Sequence, residues 1–170
     1  MKIGFIGLGN VGGKLANNLL KSRYRLIVRD LDLKLLEKFE KKGAVIATSP
    51  KNLTEMSDVI ITCLPSPKSC SKVMTAKDGV LKGLKKNKIW LEMSTTDQSE
   101  VKRIGLMVKK KGSYALDVPV SGGCHRAATG NISIFAGGEK KVFKKVLPIL
   151  KCMGRKILYT GELGTASILK

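Results

Sequence analysis

The stretch that decides the fold is residues 2–20, KIGFIGLGNVGGKLANNLL. It opens with an apolar run at residues 3–6, which is typical of a buried parallel strand. The motif G-x-G-x-x-G follows at once, and apolar residues then recur at helical spacing. A strand, this motif and a helix in that order predict a turn in which the start of the helix faces the pyrophosphate of a dinucleotide.

Each glycine of the motif has a predicted role. Gly7 permits the tight turn, Gly9 lets a pyrophosphate approach the backbone, and Gly12 lets the helix pack close to the strand. Because three glycines at fixed offsets also occur by chance, the interpretation depends on the residues that follow.

The next apolar run, residues 26–28, ends in Arg29 and Asp30. An acidic residue that closes the second strand, about 20 residues after the glycines, is placed to accept both hydroxyls of an adenosine ribose. The alternative is that Asp30 caps a helix that begins near Leu31. A carboxylate there repels a 2′-phosphate, so we expect NAD rather than NADP, with Arg29 as the residue that would favour NADP.

Apolar runs and helical patterns alternate along the rest of the chain. This order predicts a Rossmann-type, doubly wound α/β fold with a mostly parallel sheet and helices on both faces. The further predicted strands are 44–46, 58–63, 88–92, 114–117, 132–136 and 156–159. The further predicted helices are 31–42, 66–75, 97–111 and 139–153, together with one that starts at Pro50. We expect the helix over 139–153 to be kinked at Pro148.

Three short loops of small and polar residues follow predicted strands, at residues 64–66, 94–96 and 121–123. The carboxyl ends of the strands in a doubly wound sheet meet at one edge, where ligands bind. We therefore expect the three loops to share a cleft. Ordinary proline and glycine turns are the alternative explanation.

The chain is strongly basic: 32 Lys and Arg against 13 Asp and Glu give a net charge of +19. Such a charge attracts dinucleotides, carboxylates and nucleic acids. Because the lysines are spread over most predicted helices without a dense block, we expect a solvated surface and no nucleic-acid partner.

The composition also bears on metals and on location. The four cysteines lack C-x-x-C spacing and the chain has one histidine, so we expect no metal site and reduced thiols. No apolar run approaches the length of a membrane span, and the start lacks the small-residue cleavage site of a secretory signal. We expect a cytoplasmic protein without a membrane partner.

Taken together, the motifs resemble the cofactor-binding domain of the 3-hydroxyisobutyrate dehydrogenase family, the β-hydroxyacid dehydrogenases related to 6-phosphogluconate dehydrogenase. The resemblance covers nearly the whole chain. It rests on residues 4–12 (GFIGLGNVG), Leu64 with Pro65, Ser94 with Thr95, residues 117–123 (DVPVSGG) with Ala127 and Gly130, and Gly161 and Gly164 with Lys170.

The resemblance implies an NAD-dependent oxidoreductase that transfers a hydride between nicotinamide and a small 3-hydroxy acid or its semialdehyde. The implied cofactor-binding residues are Gly7, Leu8, Gly9, Asn10, Val11, Gly12, Asp30, Leu64, Pro65 and Thr95. The implied substrate-binding residues are Thr95, Ser121, Gly122 and Gly123. The catalytic residues would be Lys170, as the general acid/base, and Ser121.

The resemblance also implies what surrounds this domain. Residues 1–164 would be the dinucleotide-binding domain, and 165–170 the start of an interdomain helix leading into a helical domain that closes the site and forms a homodimer or tetramer. Because the sequence stops at Lys170, we expect this chain to bind cofactor but to be nearly inactive alone, with a solvated Lys170 amine of unchanged pKa.

Some residues and functions stay open. Ser69 stands where some members have an Asn near the nicotinamide, and His125 and Arg126 either tune the accepted acid or lie on the surface. Reduction of 2-hydroxy-3-oxopropionate, glyoxylate or succinic semialdehyde is an alternative within the family. A non-catalytic dinucleotide-binding module is the alternative outside enzymes. Lys170 argues against it, whereas the high positive charge and the expected absence of the helical domain favour it.

Overall fold

The structure is a computed structural model that describes residues 1–170. Its strands are β1 (Lys2–Ile6), β2 (Arg25–Arg29), β3 (Val45–Ile46), β4 (Val59–Thr62), β5 (Ile89–Glu92), β6 (Tyr114–Asp117), β7 (Val120–Ser121), β8 (Ile132–Gly137) and β9 (Gly154–Gly161). Its helices are α1 (Gly12–Lys21), α2 (Leu33–Glu40), α3 (Pro50–Glu55), α4 (Pro67–Thr75), α5 (Val80–Gly83), α6 (Gln98–Lys110), α7 (Gly123–Ala128), α8 (Lys140–Met153) and α9 (Thr165–Leu169).

All nine strands belong to one sheet, in the order β3-β2-β1-β4-β5-β6-β8-β7, with β9 beside β8. The strands from β3 to β6 are parallel, β8 is antiparallel to β6 and β7, and β9 is parallel to β8. The predicted doubly wound, mostly parallel fold is confirmed. The order reverses at β1, which lies between β2 and β4, and ligands of such sheets bind in the crevice above this point.

The sheet is buried on both faces because its central strands are apolar at nearly every position. In β1, Phe5 belongs to a core cluster of 28 buried residues on one face, whereas Ile6 belongs to a cluster of 13 on the other. Trp90 in β5 is fully buried in the second cluster, and its indole N–H donates to the Thr62 hydroxyl at 2.9 Å. The strand ends that carry the candidate loops are therefore held by a rigid, two-sided core.

Several element boundaries differ from the sequence-based expectation. Helix α2 begins at Leu33 rather than Leu31, since the carboxylate of Asp32 caps it. The first residue of the loop expected at 121–123 belongs to β7, whose Val120 and Ser121 pair with β8, and Gly123 already begins α7. Helix α8, by contrast, contains Pro148 and begins one residue after the predicted start at 139. No helix combines the length and the apolar character that crossing a bilayer requires.

Candidate active site

The glycine turn joins β1 to α1, and two of its glycines are required by the chain's own packing. Gly7 has φ +99° and donates its N–H to the carbonyl of Arg29 at 3.1 Å. A Cβ on Gly12 would collide with the carbonyl oxygen of Gly7. Gly9 is different, because a Cβ there would meet nothing within 4 Å. Position 9 therefore faces open space beside the turn.

The start of α1 has free hydrogen-bond donors next to this space. The backbone N–H groups of residues 9–12 donate to no backbone carbonyl. Gly9 and Asn10 are exposed, and the first turn of α1 contains no acidic side chain. Unpaired N–H groups at a helix start, together with the helix dipole, favour an anion. The turn therefore fits a pyrophosphate.

Asp30 ties the end of β2 to the glycine turn. Its carboxylate accepts the N–H of Leu8 at 2.7 Å and the N–H of Asp32 at 2.8 Å. The alternative in which Asp30 caps the following helix is wrong, since Asp32 is the cap and accepts the N–H of Lys34 at 2.9 Å. A carboxylate has about four acceptor positions, so the half-exposed Asp30 retains capacity for ribose hydroxyls.

The three loops at strand ends lie around one cleft of about 420 Å³. It is lined by Val11, Cys63, Leu64, Pro65, Met93, Ser94, Thr95, Val120, Ser121, Gly122, Gly123, Ile132 and Lys170. Val11 extends the cleft to the glycine turn, whereas Asp30 lies outside it, at the end of the neighbouring strand. His125 and Arg126 are exposed on α7 and do not line the cleft.

The first two loops are tied together by a buried carboxyl group that the sequence reasoning did not single out. The N–H of Leu64 donates to Ser94 Oγ at 2.7 Å, and the N–H of Ser94 donates to Glu92 Oε1 at 2.8 Å. The Cys70 thiol donates to Glu92 Oε2. Burial raises the pKa of Glu92. An acidic residue inside the apolar run 88–92 was the signal that could have indicated this role.

The substrate loop predicted at 121–123 is open to solvent. Ser121 is exposed and pairs through its backbone with Ser133 of β8. Gly122 and Gly123 have φ values of +135° and +74°, which side-chain-bearing residues rarely adopt. Their N–H groups donate to no backbone carbonyl. This loop therefore presents a hydroxyl and two backbone donors, groups that suit a carboxylate.

Lys170 reaches across the cleft to the second loop, and its ammonium group donates to Thr95 Oγ1. Desolvation by the surrounding chain lowers the pKa of Lys170. Lys170 remains an exposed residue, but the expectation that its pKa is unchanged is wrong. The nearby Cys63 has a pKa raised by burial to about 12, so a neutral thiol lies beside the amine at neutral pH.

Comparison with known proteins places the chain in a family. The family model for the NAD binding domain of 6-phosphogluconate dehydrogenase matches residues 2–161. The chain belongs to this family. It is an NAD-binding domain, and its curated relatives include 3-hydroxyisobutyrate dehydrogenases.

The mouse mitochondrial 3-hydroxyisobutyrate dehydrogenase is 38% identical over 168 residues, an alignment that covers 99% of this chain and 50% of the mouse protein. A structure of Mycobacterium tuberculosis 3-hydroxyisobutyrate dehydrogenase with L-serine has a TM-score of 0.93 and 25% identity, over 99% of this chain and 57% of that one. The structure of Psf3 in complex with NADP+ and 2-OPP has a TM-score of 0.94 and 26% identity, and the match covers 98% of this chain and 59% of Psf3. The chain thus spans about half the length of the curated 3-hydroxyisobutyrate dehydrogenases that it matches.

Proposed function

We propose that this chain binds NAD across the glycine turn and serves hydride transfer between the cofactor and a small 3-hydroxy acid or its semialdehyde, with Lys170 as general acid/base. The observation that carries the proposal is the cleft that brings Lys170 and Thr95 together with the loop 121–123. The same cleft reaches the glycine turn through Val11.

The residues at the turn fit the cofactor. The free N–H groups of residues 9–12 would hold the pyrophosphate, and the half-exposed carboxylate of Asp30 would accept the adenosine ribose hydroxyls. Leu64 and Pro65 would cover the ring on the side of the cleft. When bound, the nicotinamide would accept or return the hydride at C4.

Lys170 would manage the proton of the substrate hydroxyl. During oxidation the carbinol carbon loses a hydride, and the neutral amine of Lys170 accepts the hydroxyl proton as the carbonyl forms. The lowered pKa of Lys170 makes this neutral form more accessible near neutral pH. During reduction the ammonium group returns the proton.

The loop 121–123 would orient the acid. The exposed Ser121 hydroxyl and the free N–H groups of Gly122 and Gly123 would bind its carboxylate, and Thr95 would hold the hydroxyl end beside Lys170. The names of the relatives and the L-serine in the M. tuberculosis structure support a small carboxylate as the substrate.

The choice of NAD over NADP rests on charge. Asp30 and Asp32 place two carboxylates at the end of β2, where the 2′-position of the ribose would lie. Arg29 is the residue that would support NADP instead, and the Psf3 structure contains NADP+. We further propose that efficient turnover and assembly into dimers or tetramers need sequence of the kind that the relatives carry beyond the matched half.

The test is NADH formation from 3-hydroxyisobutyrate in a single turnover, with the chain in excess over NAD. We expect Lys170→Ala to slow the step by roughly 10²–10⁴-fold, the usual cost of losing a general acid or base. Lys111→Ala, at an exposed position beyond α6, is the matched control and should not slow it.

Equal rates for the wild-type chain and Lys170→Ala would contradict the role of Lys170. Bound NAD without any NADH formation by the wild-type chain would instead support a dinucleotide-binding domain with no catalysis of its own.

A further inference from the structure

Asp117 is a buried carboxylate at the end of β6, away from the residues that line the cleft. It is completely buried. Its Oδ1 accepts the N–H of Gly164 at 2.8 Å, and its Oδ2 accepts the N–H of Ser167 at 2.8 Å and the Ser167 hydroxyl at 2.9 Å. All three donors come from the turn before α9 and its first residues, 47 and 50 positions along the chain.

No cation neutralises this carboxylate, since the ion pairs of the chain all lie elsewhere. Strand β8 also lies close to the Asp117 carboxylate. A Cβ on Gly137 of this strand would be 2.5 Å from Asp117 Oδ1. An unpaired buried carboxylate is costly unless hydrogen bonds satisfy it. Here all the side-chain hydrogen bonds of the carboxylate come from Gly164 and Ser167. Charge-assisted bonds of this kind stabilise the position of α9.

Apart from the bonds to Asp117, helix α9 is tied to β9 by one side-chain hydrogen bond, between the hydroxyls of Thr165 and Thr160 at 2.7 Å. It has five residues, which is too short for a helix to be stable by itself. Ala166 is its only buried residue, and Ile168 and Leu169 are 64% and 59% exposed. The bonds to Asp117 therefore supply a large part of what holds α9 in place.

The anchored residue and the candidate catalytic residue lie on the same side of α9. Ser167 and Lys170 are three positions apart, a spacing that places two side chains on one helix face. The carboxylate of Asp117 holds the Ser167 end of this face, and the Lys170 end reaches Thr95 in the cleft.

We propose that Asp117 is the positioning residue that holds Lys170 against Thr95 across the cleft. The inference rests on the proposed function of Lys170 for its catalytic meaning, but it concerns where the amine lies. Asp117 would touch neither substrate nor cofactor, since it does not line the cleft.

Two substitutions separate the anchor from general packing. Asp117→Asn keeps the shape and one acceptor, but it presents an NH₂ group to the two donors of Ser167, or to Gly164 if the amide is turned. Ser167→Ala removes only the hydroxyl bond and leaves both backbone bonds intact. Asp117→Asn should release α9 from β6, whereas Ser167→Ala should leave α9 in place.

The experiment follows the side chain of Lys170 by NMR in the chain labelled with ¹³C-lysine, with Lys170→Arg to assign its signal. In the wild type we expect the Lys170 pKa below the ordinary value of about 10.5, and contacts between its ε-methylene and the Thr95 methyl group. In Asp117→Asn the pKa should rise towards the ordinary value and the contacts should disappear. Ser167→Ala should keep both, and thermal unfolding reports the stability of each variant separately.

A folded Asp117→Asn variant that keeps the wild-type Lys170 pKa and its contacts with Thr95 would overturn the proposal. If this variant does not fold, amide hydrogen exchange of the wild type decides. The Gly164 and Ser167 N–H groups should be protected, and rapid exchange at both would overturn it. Neither readout depends on turnover, so a failure of the catalytic role of Lys170 would be seen separately, in the Lys170→Ala rates.

Discussion

The roles of the second and third glycines of the motif can be separated by changing Gly9 and Gly12 to alanine. A Cβ on Gly12 would lie 2.1 Å from the carbonyl oxygen of Gly7, whereas real Cβ atoms essentially never approach closer than 3.0 Å. The turn or α1 would have to withdraw by 3.0 − 2.1 = 0.9 Å. A Cβ on Gly9 meets nothing within 4 Å, and its φ is not positive.

These geometries give opposite expectations. Overpacking of this kind costs about 1–3 kcal/mol, so Gly12→Ala should lower the free energy of unfolding by that amount. Gly9→Ala should leave it within about 1 kcal/mol of the wild type, because alanine at a permitted backbone conformation also restricts the unfolded chain. The methyl group at position 9 would occupy the space proposed for the pyrophosphate. We expect it to raise the Kd for NAD at least about tenfold, or ~1.4 kcal/mol.

Urea unfolding, followed through the fluorescence of the buried Trp90, gives the stabilities, and calorimetric titration with NAD gives the affinities. A Gly9→Ala variant that binds NAD as tightly as the wild type would refute the proposed position of the pyrophosphate beside Gly9. A Gly12→Ala variant as stable as Gly9→Ala would refute the packing role of Gly12.

Three further predictions concern charge. Asp30→Ser should narrow the preference for NAD over NADP in titrations with both cofactors, and tighter binding of NADP by the wild type would instead favour Arg29 as the determinant. Burial raises the pKa of Glu92, so the folded chain keeps a proton that the unfolded chain releases above about pH 4.5. The contribution of Glu92 to the free energy of unfolding is therefore complete below that pH, and it is lost as the pH rises towards the pKa of the folded state. Urea unfolding of Glu92→Gln across pH 4 to 8 should therefore show the variant gaining stability relative to the wild type as pH rises, and a constant difference would contradict the assignment. Duplex DNA should bind weakly and lose affinity steeply between low and physiological salt in a fluorescence titration, and sub-micromolar binding at physiological salt would show a nucleic-acid surface.

The fold and the glycine turn were predictable because their signals are local in sequence. The cleft was predictable because strand ends in a parallel sheet meet at one edge, which is where 64–65, 94–95 and 121–123 lie. The lowered pKa of Lys170 was not predicted. A terminal lysine on a short helix is expected to be solvated, and the bond of its amine to Thr95 joins residues 75 positions apart, which no local pattern in the sequence indicates.

The same limit explains the missed role of Glu92. Its partner Cys70 lies 22 residues away, on α4, and no local pattern indicates that the two side chains meet. The helix cap at Asp32 was missed for a different reason. Asp30 and Asp32 are both suitable N-cap residues for α2, and the sequence alone does not show which of them caps the helix.

The most direct test of the central claim is an experimental structure of the chain with NAD bound. We expect the pyrophosphate within hydrogen-bonding distance of the N–H groups of residues 9–12, and the adenosine ribose hydroxyls on the carboxylate of Asp30. We expect the nicotinamide ring in the cleft between Thr95 and Ser121. A dinucleotide bound outside the glycine turn, or no complex at millimolar NAD, would contradict the proposed mode of cofactor binding.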